Sequence, residues 1–417
     1  MGSEWRQTTL DQLGTIITGK TPPSGNPTFF GGDIPFVTPT DMDGRRLISR
    51  TSRYLTSSGA AVIANSRVPR GAVMVSCIGS DMGKAAVAGS DCVTNQQLNS
   101  LVVTTDDDPL FIYYNLSLRK AEIRQGASGS AQPILNKSAF GRLPIRLPSP
   151  SQQRWIAQIL GALDDKIELN HRMSQTLESM ARALFKSWFV DFDPVRAKAE
   201  GRNTGLPVDL NTMFPSALEE SALGETPVGW WADAVVGFAD VNPESWSSAT
   251  RPSSIEYVDL TNTKTGRIEA TTTYATADAP SRAQRVLRPG DTIFGTVRPG
   301  NRSYALVAGK GLTGSTGFAV LRPKKADYRD FVYLSSTSID AIDELARLAD
   351  GAAYPAIAPE RVAATRCVRP PESLLSRFHR AAGPMLDRLA GADREAAVLR
   401  ALRDGLLARL LSGSKPT

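Results

Sequence analysis

The chain repeats itself once, and no other feature of its 417 residues limits the possible architecture as much. Arg70-Gly71-Ala72-Val73-Met74-Val75 resembles Pro289-Gly290-Asp291-Thr292-Ile293-Phe294, a spacing of 219 residues from Gly71 to Gly290. At the same spacing Val93-Thr94-Asn95-Gln96-Gln97 meets Leu312-Thr313-Gly314-Ser315-Thr316. Phe111-Ile112-Tyr113-Tyr114 matches Phe331-Val332-Tyr333-Leu334 at 220, and Ile34-Pro35-Phe36-Val37 matches Ile255-Glu256-Tyr257-Val258 at 221. Gln132-Pro133-Ile134-Leu135 follows with Tyr354-Pro355-Ala356-Ile357 at 222. The order is kept and the spacing drifts by only a few residues. Two copies at so long a period mark a duplicated domain, not a solenoid.

Each copy has two parts. The first part is rich in Gly, Pro, Thr and Ser, with short apolar runs at 72–77, 98–103, 292–297 and 318–321. Runs of this length between turn residues read as strands, with a short helix expected near 110–119 and again near 328–336. The second part changes period. Between Ser151 and Phe189 there is no Pro, and no Gly after Gly161. One row reads Ile156, Leu163, Asn170, Leu177, Leu184 and its companion Leu160, Ile167, Ser174, Ala181, Trp188, the four-three spacing of a heptad seam. After Pro370-Pro371 a similar pair of rows runs through Phe378, Met385, Ala392, Leu399, Leu406 and Leu375, Ala382, Leu389, Ala396, Arg403, Leu410. Gly383-Pro384 interrupts it, predicting a kink or a fresh helix start. At ~1.5 Å per residue each helix extends about 40–60 Å. Neither buries its stripe alone, so each is the other's simplest partner, with Asn170 as a register-setting polar residue in the seam. Residues 190–229 read as an aperiodic connector.

Composition narrows the function. Two histidines, His171 and His379, both in predicted helices, leave little for a His-centred triad, a multi-His metal site or a zinc finger. Three cysteines (Cys77, Cys92, Cys367) form no CxxC pair, and an odd count argues against a disulfide framework. No apolar run reaches the ~18 residues of a membrane span, and the amino terminus lacks the order of a secretion signal. A cytoplasmic chain without membrane partners is expected. The net charge of +6 and pI near 9.2 are compatible with a polyanionic partner. Two similar domains held apart by paired helices have the geometry of a ruler, which suits a duplex with two separated half-sites.

The residues also carry a resemblance. Gly19-Lys20-Thr21-Pro22-Pro23, then Phe30-Gly31-Gly32-Asp33-Ile34-Pro35-Phe36-Val37-Thr38, Gly79-Ser80-Asp81-Met82-Gly83-Lys84 and Asn95-Gln96-Gln97 resemble elements of the specificity subunits of type I restriction–modification systems. The helix from Gln152-Gln153-Arg154, its exit Leu184-Phe185-Lys186-Ser187-Trp188-Phe189-Val190-Asp191-Phe192-Asp193-Pro194, and Leu223-Gly224-Glu225-Thr226-Pro227-Val228-Gly229-Trp230 are similar to that family's central region. The second copy, which lacks Gly-Lys-Thr-Pro, departs most. The resemblance implies an α+β chain: two mixed, strand-rich target-recognition domains separated by two long antiparallel coiled-coil helices, with a pseudo-two-fold internal repeat. The expected parts are a first recognition domain (1–150), a central helix (151–189), a linker (190–229), a second recognition domain (230–371), a carboxyl-terminal helix (372–412) and a tail (413–417). It further implies double-stranded DNA with a bipartite site as ligand and two modification (methyltransferase) subunits as partners, with a restriction subunit left open. S-adenosylmethionine, ATP and Mg then belong to partner subunits, and this chain has no cofactor, no metal and no catalytic residue.

The candidate DNA contacts of the first copy are Lys20, Thr21, Thr38, Ser80, Lys84, Asn95, Gln96 and Gln97. Lysine suits phosphate, and side-chain amides suit adenine edges. In the second copy they are Arg298, Asn301, Arg302, Ser303 and Tyr304, a Pro-Gly loop whose arginines suit guanine and phosphate. The small-residue loops 126–132 and 350–354 sit at equivalent places and are candidates for close backbone approach. Trp155, Phe185, Trp188 and Phe189 are too many large apolar groups for a thin helix seam, and are candidates for the subunit interface. Asn26-Pro27-Thr28-Phe29 imitates a methyltransferase motif but has no cofactor loop before it, so it reads as a turn, and Asp191-Phe192-Asp193-Pro194 likewise as a helix-ending turn. The rival readings are a self-contained methyltransferase or nuclease, and a structural coiled-coil adaptor.

Overall fold

The structure, a computed structural model, describes residues 5–126, 134–247, 249–351 and 355–411. Its contacts divide into two compact units, Met1–Asn170 with Glu395–Thr417, and His171–Arg394.

The first unit is built on two sheets. The larger has the strand order Gly14–Thr18, Leu98–Val103, Val73–Ser76, Ala85–Ala88, Leu47–Ile48. Its Val73–Ser76 strand is buried on both faces, which is why the sequence there is a continuous apolar run without alternation. Val73 and Val75 join a core with Leu101, Phe111, Ile112 and Tyr114, while Met74 points the other way, to Val37, Ile48, Ala86 and Leu98. The smaller sheet runs Tyr54–Leu55, Phe30–Val37, Cys92–Thr94, Arg67–Val68, with Phe30–Val37 parallel to Cys92–Thr94. Arg6–Thr9 and Pro144–Leu147 pair separately. The helix Pro109–Leu118 starts on Asp108, whose carboxylate accepts from the Leu110 and Phe111 amides at 2.8 and 3.1 Å.

The second unit repeats this strand order, except that the larger sheet lacks a counterpart of the edge strand Leu47–Ile48. One sheet runs Ala239–Val241, Phe318–Pro323, Thr292–Gly295, Tyr304–Leu306, and the other Thr272–Ala275, Ser254–Val258, Leu312–Ser315, Ala283–Val286. The central pair of the latter, Ser254–Val258 with Leu312–Ser315, is again parallel, and Trp231–Ala234 again pairs with a late strand, Arg366–Arg369. The pairing corrects one register in the sequence alignment. Phe36 faces Val93 and Tyr257 faces Thr313, so Asn95 corresponds to Ser315, not Gly314, and the spacing is 220. The extra residue sits in the turn before Leu312, where 308–311 replaces 89–91.

The two long helices are Pro150–Phe189 and Glu372–Leu411. Gln153, fully buried, ties the start of the first to its domain: its amide donates to Asp107 at 2.8 Å and accepts from the Asp108 N–H at 2.9 Å. Burial alone would raise the Asp107 pKa, but hydrogen bonds from Gln153, Thr105 and Arg6 outweigh it and hold the carboxylate below its ordinary range. Within each unit the helices run antiparallel. In the first unit Asp164 meets Arg403 at 2.7 Å and Lys166 meets Glu395 at 3.4 Å. In the second Ser174 meets Asp393 at 2.9 Å and Phe185 meets Phe378 at 6.2 Å between ring centres. Asn170 is wholly buried, and neither end of its amide finds a partner among the described residues. The second helix does not restart at Pro384 but continues through it. Gly383 makes this passage tight: a Cβ there would stand 3.2 Å from Asp330 and 3.3 Å from His379.

The connector is not a loose tether. It holds the helix Asp193–Ala199 and the hairpin Leu218–Ser221 with Gly224–Pro227. Phe192, Val195, Phe214 and Trp230 enter the core of the second unit, Phe214 packing edge-on to Trp188 at 5.3 Å. Within the Asp191–Pro194 segment the chain turns at Asp191-Phe192, with Phe192 at φ 56° and Lys186 paired to Asp191, and Asp193-Pro194 open the next helix. At Asn26 the side chain caps a short turn, accepting from the Thr28 N–H at 3.1 Å.

Candidate nucleic-acid interface

In the first unit the polar candidates converge where three chain segments meet. The Gly19 N–H donates to the Leu98 carbonyl at 3.1 Å and the Lys20 N–H to the Thr94 carbonyl at 2.9 Å, laying Gly19-Lys20-Thr21 against the 94–98 turn. This needs glycine: a Cβ at Gly19 would stand 2.0 Å from the Asn95 carbonyl oxygen. The Thr21 hydroxyl donates to Gln96 Oε1 at 2.6 Å, while Lys20 and Gln96 face solvent. Lys84 closes the cluster, its ammonium 3.1 Å from Asp81 and 3.4 Å from the Pro39 carbonyl. Ser80 is exposed beside it, its carbonyl accepting from Arg124 at 3.2 Å.

Two first-copy candidates are corrected. Thr38 is buried and makes a reciprocal cap with Asp41, its N–H and hydroxyl both donating to that carboxylate at 2.8 Å. Burial would raise the Asp41 pKa, but the hydrogen bonds from Ser52 and Thr38 win and lower it. Asn95 is buried too. Its amide donates to Gln97 Oε1 at 2.8 Å and accepts from the Gln97 N–H at 3.1 Å, so it shapes the turn that presents Gln96. Gln97 is half-buried by the same exchange.

In the second unit the loop between Thr292–Gly295 and Tyr304–Leu306 is closed by the Gly295 N–H on the Ser303 carbonyl at 2.7 Å. Arg298 and Asn301 are exposed and Arg302 is partly so, its nearest carboxylate, Asp343, 3.9 Å away. Ser303 and Tyr304 are corrected. Ser303 is buried with its hydroxyl donating to the Leu260 carbonyl at 3.3 Å. Tyr304 is buried, its hydroxyl accepting from Arg182 at 3.1 Å beneath that residue's guanidinium, and burial pushes its pKa up.

The aromatic cluster is corrected for three of its four members. Phe185, Trp188 and Phe189 are consumed by this chain's own core, around Phe331 and Phe378. Trp155 remains, 54% exposed on the first helix. Of the two small-residue loops, 127–132 and 352–354 lie outside the described residues. Arg124 and Arg182 escaped the sequence reading. No motif marks either, and only the tertiary fold brings them to Ser80 and Tyr304. Among the described residues no three His, Cys, Asp or Glu side chains gather as a metal site, and no helix is long and apolar enough to cross a membrane.

Comparison with known proteins gives a family likeness, carried by the amino-terminal part of the chain. Residues 2–179 match the model for the type I restriction modification DNA specificity domain. The MjaIX type I restriction enzyme specificity subunit of Methanocaldococcus jannaschii is 22% identical, over 98% of this chain and 93% of that one. Through these matches the chain resembles the specificity subunits of type I restriction–modification systems. The HindI type I restriction enzyme specificity subunit of Haemophilus influenzae is 31% identical over 41% of this chain and 39% of its own length. The crystal structure of the S subunit of a type I restriction-modification system from M. genitalium shares the fold, with a TM-score of 0.62 at 14% identity, covering 100% of this chain and 97% of that one. The curated relatives it matches are named as specificity subunits.

Proposed function

We propose that this chain is a type I specificity subunit that reads a bipartite duplex, one half-site per copy, and carries modification subunits to it. The observation that supports this reading best is the repeated strand order, which sets a polar, solvent-facing loop in the same place in both units. Lys20, Lys84 and Gln96 supply phosphate and base-edge chemistry in the first copy, and Arg298, Asn301 and Arg302 in the second. Methyl transfer from S-adenosylmethionine and any ATP- and Mg-dependent step belong to partner subunits. Trp155, exposed on the first helix, is the remaining aromatic of the four for their docking.

The test is the genome-wide adenine methylation of cells with and without this gene. Loss of one split motif, two short half-sites around an unspecified spacer, is the expected result. If no motif is lost and the chain binds no duplex even with its modification subunits, the reading fails.

A further inference from the structure

Matched by their hydrogen bonds, the two copies carry the same loop with opposite chemistry. The Ser76 N–H donates to the Lys84 carbonyl at 2.9 Å, as the Gly295 N–H does to the Ser303 carbonyl at 2.7 Å, so 77–83 and 296–302 are one loop twice. In the first copy its two left-handed backbone positions are glycines, Gly79 at φ 86° and Gly83 at φ 88°. In the second the same positions hold arginines, Arg298 at φ 51° and Arg302 at φ 56°. Among the described residues only four non-glycines have positive φ, and these are two of them. A Cβ is strained in that region, and Pro299 restricts Arg298 further. Glycine would remove the strain at both sites, so the arginines are kept against the preference of the backbone.

The neighbouring turn shows the reverse exchange. Cys77 N–H donates to the Gln97 carbonyl at 2.7 Å and Thr296 N–H to the Gly317 carbonyl at 2.8 Å, so loop and turn lie side by side in each copy. The turns share a device: Asn95 accepts from the Gln97 N–H and Ser315 from the Gly317 N–H, both at 3.1 Å. Yet the first copy holds Asn95-Gln96-Gln97 there, with Gln96 exposed, and the second the short side chains of Ser315-Thr316-Gly317.

We propose that the two copies read their half-sites from different places: the first through the Gln96 amide on the turn, the second through the Arg298 and Arg302 guanidiniums on the loop. An amide pairs with the adenine N6/N7 edge and a guanidinium fork with guanine O6/N7. The second half-site therefore contains guanine read by the loop, and the first an adenine read by the turn. This rests on the bipartite reading above.

The experiment uses the full chain co-expressed with its modification subunits, and a duplex library randomised at every position of both half-sites. The double variant Arg298→Gly, Arg302→Gly installs the first copy's residues. It is expected to assemble, to melt at the wild-type temperature or above, and to keep the first half-site profile. Its guanine preference in the second half-site falls by tenfold or more. Arg298→Asn with Arg302→Asn, which suits the same backbone while keeping it less flexible than glycine, loses that preference equally. Gln96→Ala does the converse, losing adenine preference in the first half-site only. A retained guanine preference in both double variants, equal weakening across all sequences, or a second half-site without guanine would overturn the assignment. A wild-type complex that selects no split motif overturns the bipartite reading itself, a result distinguishable from any of these.

Discussion

At Gly19 the absence of a side chain is what lets Lys20 and Thr21 reach the turn. Gly19→Ala forces a methyl into the Asn95 carbonyl, a clash in a packed setting that costs about 1–3 kcal/mol. The expected outcome is a lower melting temperature and a damaged first half-site with the second intact, read by unfolding and by duplex selection. Burial pushes the thiols of Cys77 up to about 11 and of Cys92 and Cys367 up to about 12. All three should resist alkylation near pH 7 until the chain is unfolded, and mass spectrometry after brief iodoacetamide exposure checks this. Glu244 is held at about 2 by hydrogen bonds from Arg288 and Arg322, against an ordinary 4.5. Because the folded value is the lower one, its stabilisation is complete above 4.5 and is lost as pH falls from there toward 2. Glu244→Gln should flatten that acid limb in urea titrations, and an unchanged limb would refute the assignment. The residue types of the candidate sites were legible in the sequence, but which face solvent was not. Asn95 and Gln96 are adjacent and chemically alike, and only the fold decides that one shapes the turn and the other is presented.

The long helices were legible from their period, yet their roles along the length were not. A heptad row treats Ile156, Asn170 and Leu184 alike. In the structure the helix ends are apolar and sealed into domain cores, while the middle buries the polar Asp164, Asn170 and Ser174, of which Asp164 and Ser174 bond to the second helix. The aromatics looked surplus because a two-helix seam is thin, whereas the partners that absorb them, Phe214, Trp230, Phe331 and Phe378, come from four distant segments. Phe185→Ala should accordingly cost about 3–5 kcal/mol in unfolding free energy. Trp155→Ala, at an exposed site, should change stability by under about 0.5 kcal/mol and instead weaken co-purification with modification subunits. Replacing Asn170 by Leu removes an unpartnered buried amide and is expected to raise stability by about 1–3 kcal/mol. A drop in stability would mean that the amide is satisfied in solution.

The duplication was visible across the whole chain because strand order and turn positions outlast residue identity. The one-residue slip between 219 and 220 was not, since strand pairing rather than similarity fixes register. If the helices set the distance between half-sites, deleting one heptad between Ile156 and Leu184 shortens the spacer of the methylated motif or abolishes assembly. An assembled complex with an unchanged spacer would refute the ruler. The division of the chain has a separate consequence, in time. The second unit is one continuous stretch, His171–Arg394, whereas the first is Met1–Asn170 completed by Glu395–Thr417. Leu407, with Leu406, Leu410 and Leu411 beside it, packs into the same core as Ile156 and Leu160. At about 5–20 residues per second on the ribosome, the domain translated first waits tens of seconds for that last segment. The domain begun second is thus the first that can finish folding, and the nascent first domain carries an unsealed apolar edge until the segment after Arg394 has been made.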